Sequence, residues 1–80
     1  MSESFYDYEK VADLRESMGL SKQDMADALG VALMTVYRVE NGGCSIELLA
    51  KIAIVLGVPL AALLHTAERI AKNFSPAINI

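Results

Sequence analysis

The 80-residue chain contains no tryptophan, one cysteine, one histidine and two prolines, and its 7 lysines and arginines are outnumbered by 10 acids. Each shortage excludes something. A single cysteine, Cys44, cannot build an internal disulfide framework, and with His65 as the only histidine it gains no partners for a metal site. Neither a metal nor a cofactor is therefore expected. His65 also lacks a serine, acid or lysine in a recognisable catalytic arrangement, so nothing points to an enzyme. Hydrophobic residues make up 54% of the chain, yet no apolar run approaches the roughly 20 residues needed to cross a bilayer. The opening MSESFYDYE is acidic, whereas a signal peptide needs a positive start followed by an apolar stretch. A soluble, cytoplasmic chain with no membrane partner is the expectation. Its length makes one domain, marginally stable by size alone, which a partner subunit would help.

The shortage of bases also bears on nucleic acid. Binders of DNA or RNA usually carry a basic footprint, and a formal net charge of −3 runs against one. The distribution softens this. Seven acids (Glu3, Asp7, Glu9, Asp13, Glu16, Asp24, Asp27) fall within residues 1–27 against Lys10, Arg15 and Lys22, while the rest of the chain holds more bases than acids.

What the chain has in quantity is apolar residues at helical spacing. Tyr8, Val11, Leu14 and Met18 predict a first helix from Asp7 to Met18, stopped by Gly19. Ser21 caps a second helix, with Asp24 completing a capping box, and this helix ends at Leu29. A third runs from Leu33 to Glu40 and stops at Asn41-Gly42-Gly43, residues that tolerate positive φ. Ser45 caps a fourth, whose stripe of Ile46, Leu49, Ile52, Ala53 and Leu56 ends at Gly57. Pro59 suits the first turn of a fifth helix, in which Leu60, Leu63, Leu64, Ala67, Ile70, Ala71 and Phe74 repeat at steps of three and four. This last stripe outruns the domain it should pack on. Leu63, Ala67, Ile70 and Phe74, with Ile78 in the apolar tail, are therefore assigned to a homodimer contact, the alternative being a helix folded back on its own core. The lead-in 1–6, including Phe5 and Tyr6, is expected to pack on the domain, and the domain itself to occupy 7–64, with 65–80 as its extension.

Within this frame, Lys22 to Asn41 (KQDMADALGVALMTVYRVEN) places apolar or small residues where two steeply crossing helices must bury them: Met25, Ala26, Leu29, Val31, Val36 and Val39. The crossing needs a small residue at Ala26 and a positive-φ turn at Gly30. This is the spacing of a helix-turn-helix, which props one helix into a DNA groove.

From Val11 to Leu64 the chain resembles the lambda repressor-like, Cro/CI-type helix-turn-helix family, also called the XRE family. The stretches LRESMGLSKQDMADALGV, TVYRVENG and LAKIAIVLGVPLAAL carry the resemblance, in the family's usual order. It implies an all-α, compact five-helix domain, here with an extended C-terminal helix and a short apolar tail. It also implies a small transcriptional regulator, bacterial or phage-encoded, that dimerises on palindromic double-stranded DNA and reads the major groove with its third helix. By the same resemblance Arg15 and Glu40 form an internal ion pair. Ser21, Lys22 and Gln23 at the start of helix 2 meet phosphate, as does the loop at Asn41, Gly42 and Gly43. Lys22 stands where the family most often has glutamine.

The reading positions depart from the family. Ala32, Leu33 and Met34 replace its usual polar residues and offer no conventional hydrogen bond to a base. Leu33 and Met34 can favour thymine through its C5 methyl, Arg38 can reach guanine or phosphate, and Tyr37 can donate to phosphate. An alternative stays open: Leu33 and Met34 face a protein partner, which makes the chain an antitoxin-like or anti-repressor interaction module. Cys44, close to the phosphate-contacting loop, has no role in either reading.

Overall fold

A computed structural model describes residues 4–65, and within them the chain folds as four α-helices and a short 3-10 turn. Helix α1 (Tyr8–Ser17) starts where the Asp7 carboxylate accepts the Lys10 backbone N–H at 3.0 Å. Helix α2 (Lys22–Leu29) starts at a complete capping box. The Ser21 hydroxyl accepts the Asp24 N–H, the Asp24 carboxylate accepts the Ser21 N–H, each at 2.9 Å, and two otherwise orphaned donors are satisfied. Its end is equally defined. Gly30 adopts φ +70°, which lets the Val31 N–H return to the Ala26 carbonyl at 3.0 Å and the Gly30 N–H to Asp27 at 3.2 Å.

Helix α3 (Leu33–Val39) is too short to persist alone and begins at Ala32, which supplies no side-chain cap. Burial holds it in place, since Val36 and Val39 are almost wholly enclosed and contribute about 1.5–3 kcal/mol each. Helix α4 (Ile46–Leu56), capped by the Ser45 hydroxyl on the Leu48 N–H at 3.1 Å, is the central element. It packs against α2, α1 and the 3-10 turn (Leu60–Leu63), while α2 packs on α3. The core gathers Val11 of α1, Met25 and Ala26 of α2, Val36 and Val39, four residues of α4 (Leu49, Ile52, Ala53, Leu56), Leu63 and Tyr6. No described helix is long and apolar enough to cross a membrane.

Three expectations need correction. After Pro59 the chain forms a single 3-10 turn, and Leu64 is extended at ψ 124°, so no continuous α-helix runs from Leu60 through Leu64. The cause is a long-range backbone contact: Leu64 forms an antiparallel bridge with Tyr6. Leu63 is fully buried in its own chain's core and cannot serve as a dimer contact; Ala67, Ile70, Phe74 and Ile78 lie outside the described residues. Finally, Met18 and Ile46 at the ends of their apolar stripes are exposed rather than core.

Candidate nucleic-acid interface

The position of α3 is fixed from beneath by the buried Val36 and Val39 and from its C-terminal end by an ion pair. Arg15 Nε donates to Glu40 Oε2 at 2.7 Å and Nη2 to Oε1 at 3.2 Å, a fork-to-fork geometry, while Nη1 donates to the Leu20 carbonyl at 2.7 Å. Both charged side chains are only 6% exposed. The hydrogen bond to Glu40 raises the guanidinium's pKa, outweighing the opposite pull of desolvation. One guanidinium thus joins α1, the α1–α2 turn and the end of the third helix. Glu16, 3.5 Å from Nη2, is largely solvated and adds little.

Opposite the buried face, α3 presents a continuous stripe. Leu33 is 37% exposed, Met34 67% and Tyr37 46%, and Arg38 and Asn41 extend the stripe as exposed polar residues. The stripe is apolar toward the N-terminus and polar behind it. Lys22 at the start of α2 lies with Nζ 5.1 Å from the Tyr37 ring centroid, a cation–π contact that carries a positive charge onto the α3 face. Ala32 lies at the exposed entrance to α3. Such a face can offer methyl and thioether contacts, a phenol, a guanidinium and an ammonium to a groove or to another protein.

Several expected contact residues are already engaged within the chain. The Gln23 amide donates to the Asp27 carboxylate at 2.9 Å, and the Asn41 amide donates to the Tyr37 carbonyl at 2.7 Å, closing the end of α3. Ser21 is committed to the capping box. There the backbone N–H of Ser21, and then its side chain, hold the Asp24 carboxyl below its ordinary pKa. A phosphate approaching the start of α2 therefore meets a carboxylate beside the free N–H groups.

Behind the stripe, the loop Asn41–Gly43 turns through Gly42 at φ +100°, a conformation that rather than lack of space calls for glycine. Gly43 is different, since a Cβ there would stand 3.0 Å from Arg38 Cγ. The absent side chain is what seats the Arg38 stem. Cys44 follows, half-buried, its thiol donating to the Ser45 carbonyl at 3.2 Å and pushed up to about 11 by burial. Among the described residues no group of histidine, cysteine and acids could hold a metal ion.

The structure thus brings Lys22, Leu33, Met34, Tyr37, Arg38 and Asn41 onto one side, and it joins Arg15 to Glu40 by direct hydrogen bonds. Tyr6 packs on the domain as expected, but sequence reasoning missed the hydrogen bonds behind this surface, in which the Ser4 and Tyr6 hydroxyls donate to the Gly42 and Val39 carbonyls. A signal for Tyr6 was available. It stands one residue ahead of the Asp7 cap with Val11 four residues into the helix, the spacing of a hydrophobic staple, and both are fully buried.

A family model described as helix-turn-helix matches residues 11–63. No curated protein and no solved structure matches the chain.

Proposed function

This chain belongs to the helix-turn-helix family, in its lambda repressor-like, XRE-type form, and on that premise we propose that it is a sequence-specific transcriptional repressor that occupies double-stranded operator DNA as a homodimer. The observation that carries the reading is the α3 stripe: a helix held rigidly by burial and by Arg15–Glu40, with Leu33, Met34, Tyr37 and Arg38 turned outward. In this reading α3 enters the major groove. Leu33 and Met34 contact thymine methyls beside Ala32, and Arg38 takes a guanine edge or a phosphate. Lys22 with Ser21 and Gln23, Tyr37, and Asn41 brace the flanking backbone. Dimerisation through residues 65–80 places two such helices on the halves of a palindrome. Action is by occlusion of promoter DNA in the cytoplasm and involves no catalytic step.

A second reading is favoured by the exposure of Met34 and Leu33 together with the acidic balance of the chain. There the same stripe docks on a protein, as an antitoxin-like or anti-repressor component would. One experiment separates them. Genomic DNA is enriched on the native protein, and the recovered duplex is titrated by fluorescence anisotropy across a salt series with the parent, Arg38→Glu and Lys22→Glu. The repressor reading expects a recovered site, loss of binding in both variants and a linear fall of log affinity with log salt. No enrichment, or binding indifferent to both charge reversals, transfers the stripe to a protein partner.

A further inference from the structure

The segment ahead of α1 touches two distant parts of the chain at once. On one side it is tied to the 3-10 turn by backbone: Asp7 N–H donates to the Leu63 carbonyl at 2.7 Å, His65 N–H donates to Phe5 at 3.1 Å, and Tyr6 bridges Leu64. The Lys10 ammonium adds a bond to the Ala62 carbonyl at 3.0 Å. On the other side it grips the end of the third helix. The Tyr6 hydroxyl donates to the carbonyl of Val39, the last residue of α3, and the Ser4 hydroxyl donates to the carbonyl of Gly42 at 3.2 Å. A Cβ on Gly42 would stand 3.5 Å from both the Ser4 Cβ and the Tyr8 ring, so the segment lies against the loop as well as bonding to it.

These contacts meet a particular need. The Val39 carbonyl already accepts the Gly42 N–H at 3.1 Å, so the Tyr6 hydroxyl takes its second lone pair, and a loop with two successive glycines has many conformations to lose. The buried Tyr6 ring, fixed edge-on between Phe5 and Tyr8, supplies a rigid post from which its hydroxyl reaches Val39. Ser4, Tyr6 and Leu64 all lie outside residues 11–63, so the device is an addition to the part of the chain that the family model matches.

We propose that residues 4–8 form a clip in which the Tyr6 and Ser4 hydroxyls hold the Asn41–Gly43 loop in register behind α3, making Tyr6 and Ser4 positioning residues for phosphate contact by that loop. The positioning role rests on the DNA-binding reading above, whereas the clip itself does not. Tyr6→Phe keeps the buried ring and removes only the donor; Ser4→Ala removes the second bond from a half-buried site. Amide hydrogen exchange on the free, full-length protein is the first readout. The double variant is expected to exchange at Gly42 and Gly43 about tenfold faster, with Leu49 and Ile52 in α4 as protected as in the parent. Unchanged glycine exchange overturns the clip, and so does uniform acceleration, which would mark a structural role only.

The second readout is anisotropy on the enriched duplex over a salt series. Affinity is expected to fall about fivefold, the equivalent of one net hydrogen bond, with the slope of log affinity against log salt unchanged, because Asn41, Gly42 and Gly43 carry no cation. Parental affinity in a variant with locally loosened glycines overturns the positioning role and leaves the DNA-binding reading standing. A parent that binds no DNA removes that reading and the positioning role together, with the exchange result still deciding the clip. Should Tyr6→Phe lose cooperative unfolding, Ser4→Ala alone carries both measurements.

Discussion

Replacing Arg15 by alanine should be among the most damaging single changes in this chain, although Arg15 belongs to no surface that meets a ligand. The guanidinium makes three hydrogen bonds, two to Glu40 and one to the Leu20 carbonyl. Truncation leaves the Glu40 carboxylate enclosed with its partner gone. Breaking a buried pair from one side costs about 3–5 kcal/mol, against a total of about 4–12 kcal/mol expected for 80 residues. At about 4–8 °C of melting temperature per kcal/mol for a domain of this size, the midpoint should drop by at least about 12 °C. Far-UV circular dichroism against temperature, with urea titration to check for an unchanged m value, reads this directly.

The same reasoning makes a sharper demand on the double variant Arg15→Met with Glu40→Leu. Removing both charges abolishes the stranded carboxylate, so the double variant should be more stable than Arg15→Ala. It should still fall short of the parent by about 1–3 kcal/mol, because the Leu20 carbonyl loses its donor. A melting temperature for Arg15→Ala within about 3 °C of the parent would refute the reasoning, as would a double variant no better than the single one.

Gly43→Ala introduces a Cβ 3.0 Å from Arg38 Cγ at a position whose φ is not positive, so stability should change by less than about 1 kcal/mol while affinity for the enriched duplex falls as the Arg38 stem is displaced. Parental affinity in a folded Gly43→Ala protein would show that the seat of Arg38 is immaterial. Asp24→Asn should lower the melting temperature near neutral pH. Because the folded pKa is depressed, the carboxylate's contribution is fully present above the ordinary value of about 3.9 and is lost as pH falls through the lower folded value. The gap between parent and variant should therefore close in strong acid, and a constant gap down to the lowest pH at which both fold would contradict the capping-box origin.

How much of this was legible in the sequence depended on whether the information was local. The start of α2 follows from Ser21 and Asp24 three positions apart, and its end from Gly30, because caps and left-handed turns are settled within a few residues. Val36 and Val39 were equally readable from spacing alone. The stretch after Pro59 was not. Leu60, Leu63 and Leu64 fit helical periodicity, but pairing between Leu64 and Tyr6 draws the backbone into an extended conformation, and no pattern within residues 59–65 encodes a contact so remote in sequence. Ser4 escaped for the same reason, since its value lies in reaching Gly42. Leu63 was assigned to the wrong surface because periodicity marks it as apolar-facing without naming the surface it meets.

The charge deficit noted in the sequence takes on a definite meaning once the α3 face is known. Among the described residues the cations on that face are Lys22 and Arg38, and Lys22 is drawn over the Tyr37 ring, while the Asp24 carboxylate sits at the start of α2. If each cation neutralises one phosphate, a protomer contributes two contacts and a dimer four. The slope of log affinity against log salt is then about −3.6, well short of proteins that engage six to ten phosphates. With so small an electrostatic contribution, non-specific binding is weak, and the affinity of a true site must come from the groove. In the repressor reading with Arg38 on phosphate, Leu33 and Met34 are the side chains left for the groove, and an apolar side chain can recognise thymine only by its methyl group. Replacing the contacted thymines of the enriched duplex by uracil removes that methyl and nothing else, so in the repressor reading it should weaken binding without altering the salt slope. In the protein-docking reading the same apolar residues have no reason to distinguish the two bases.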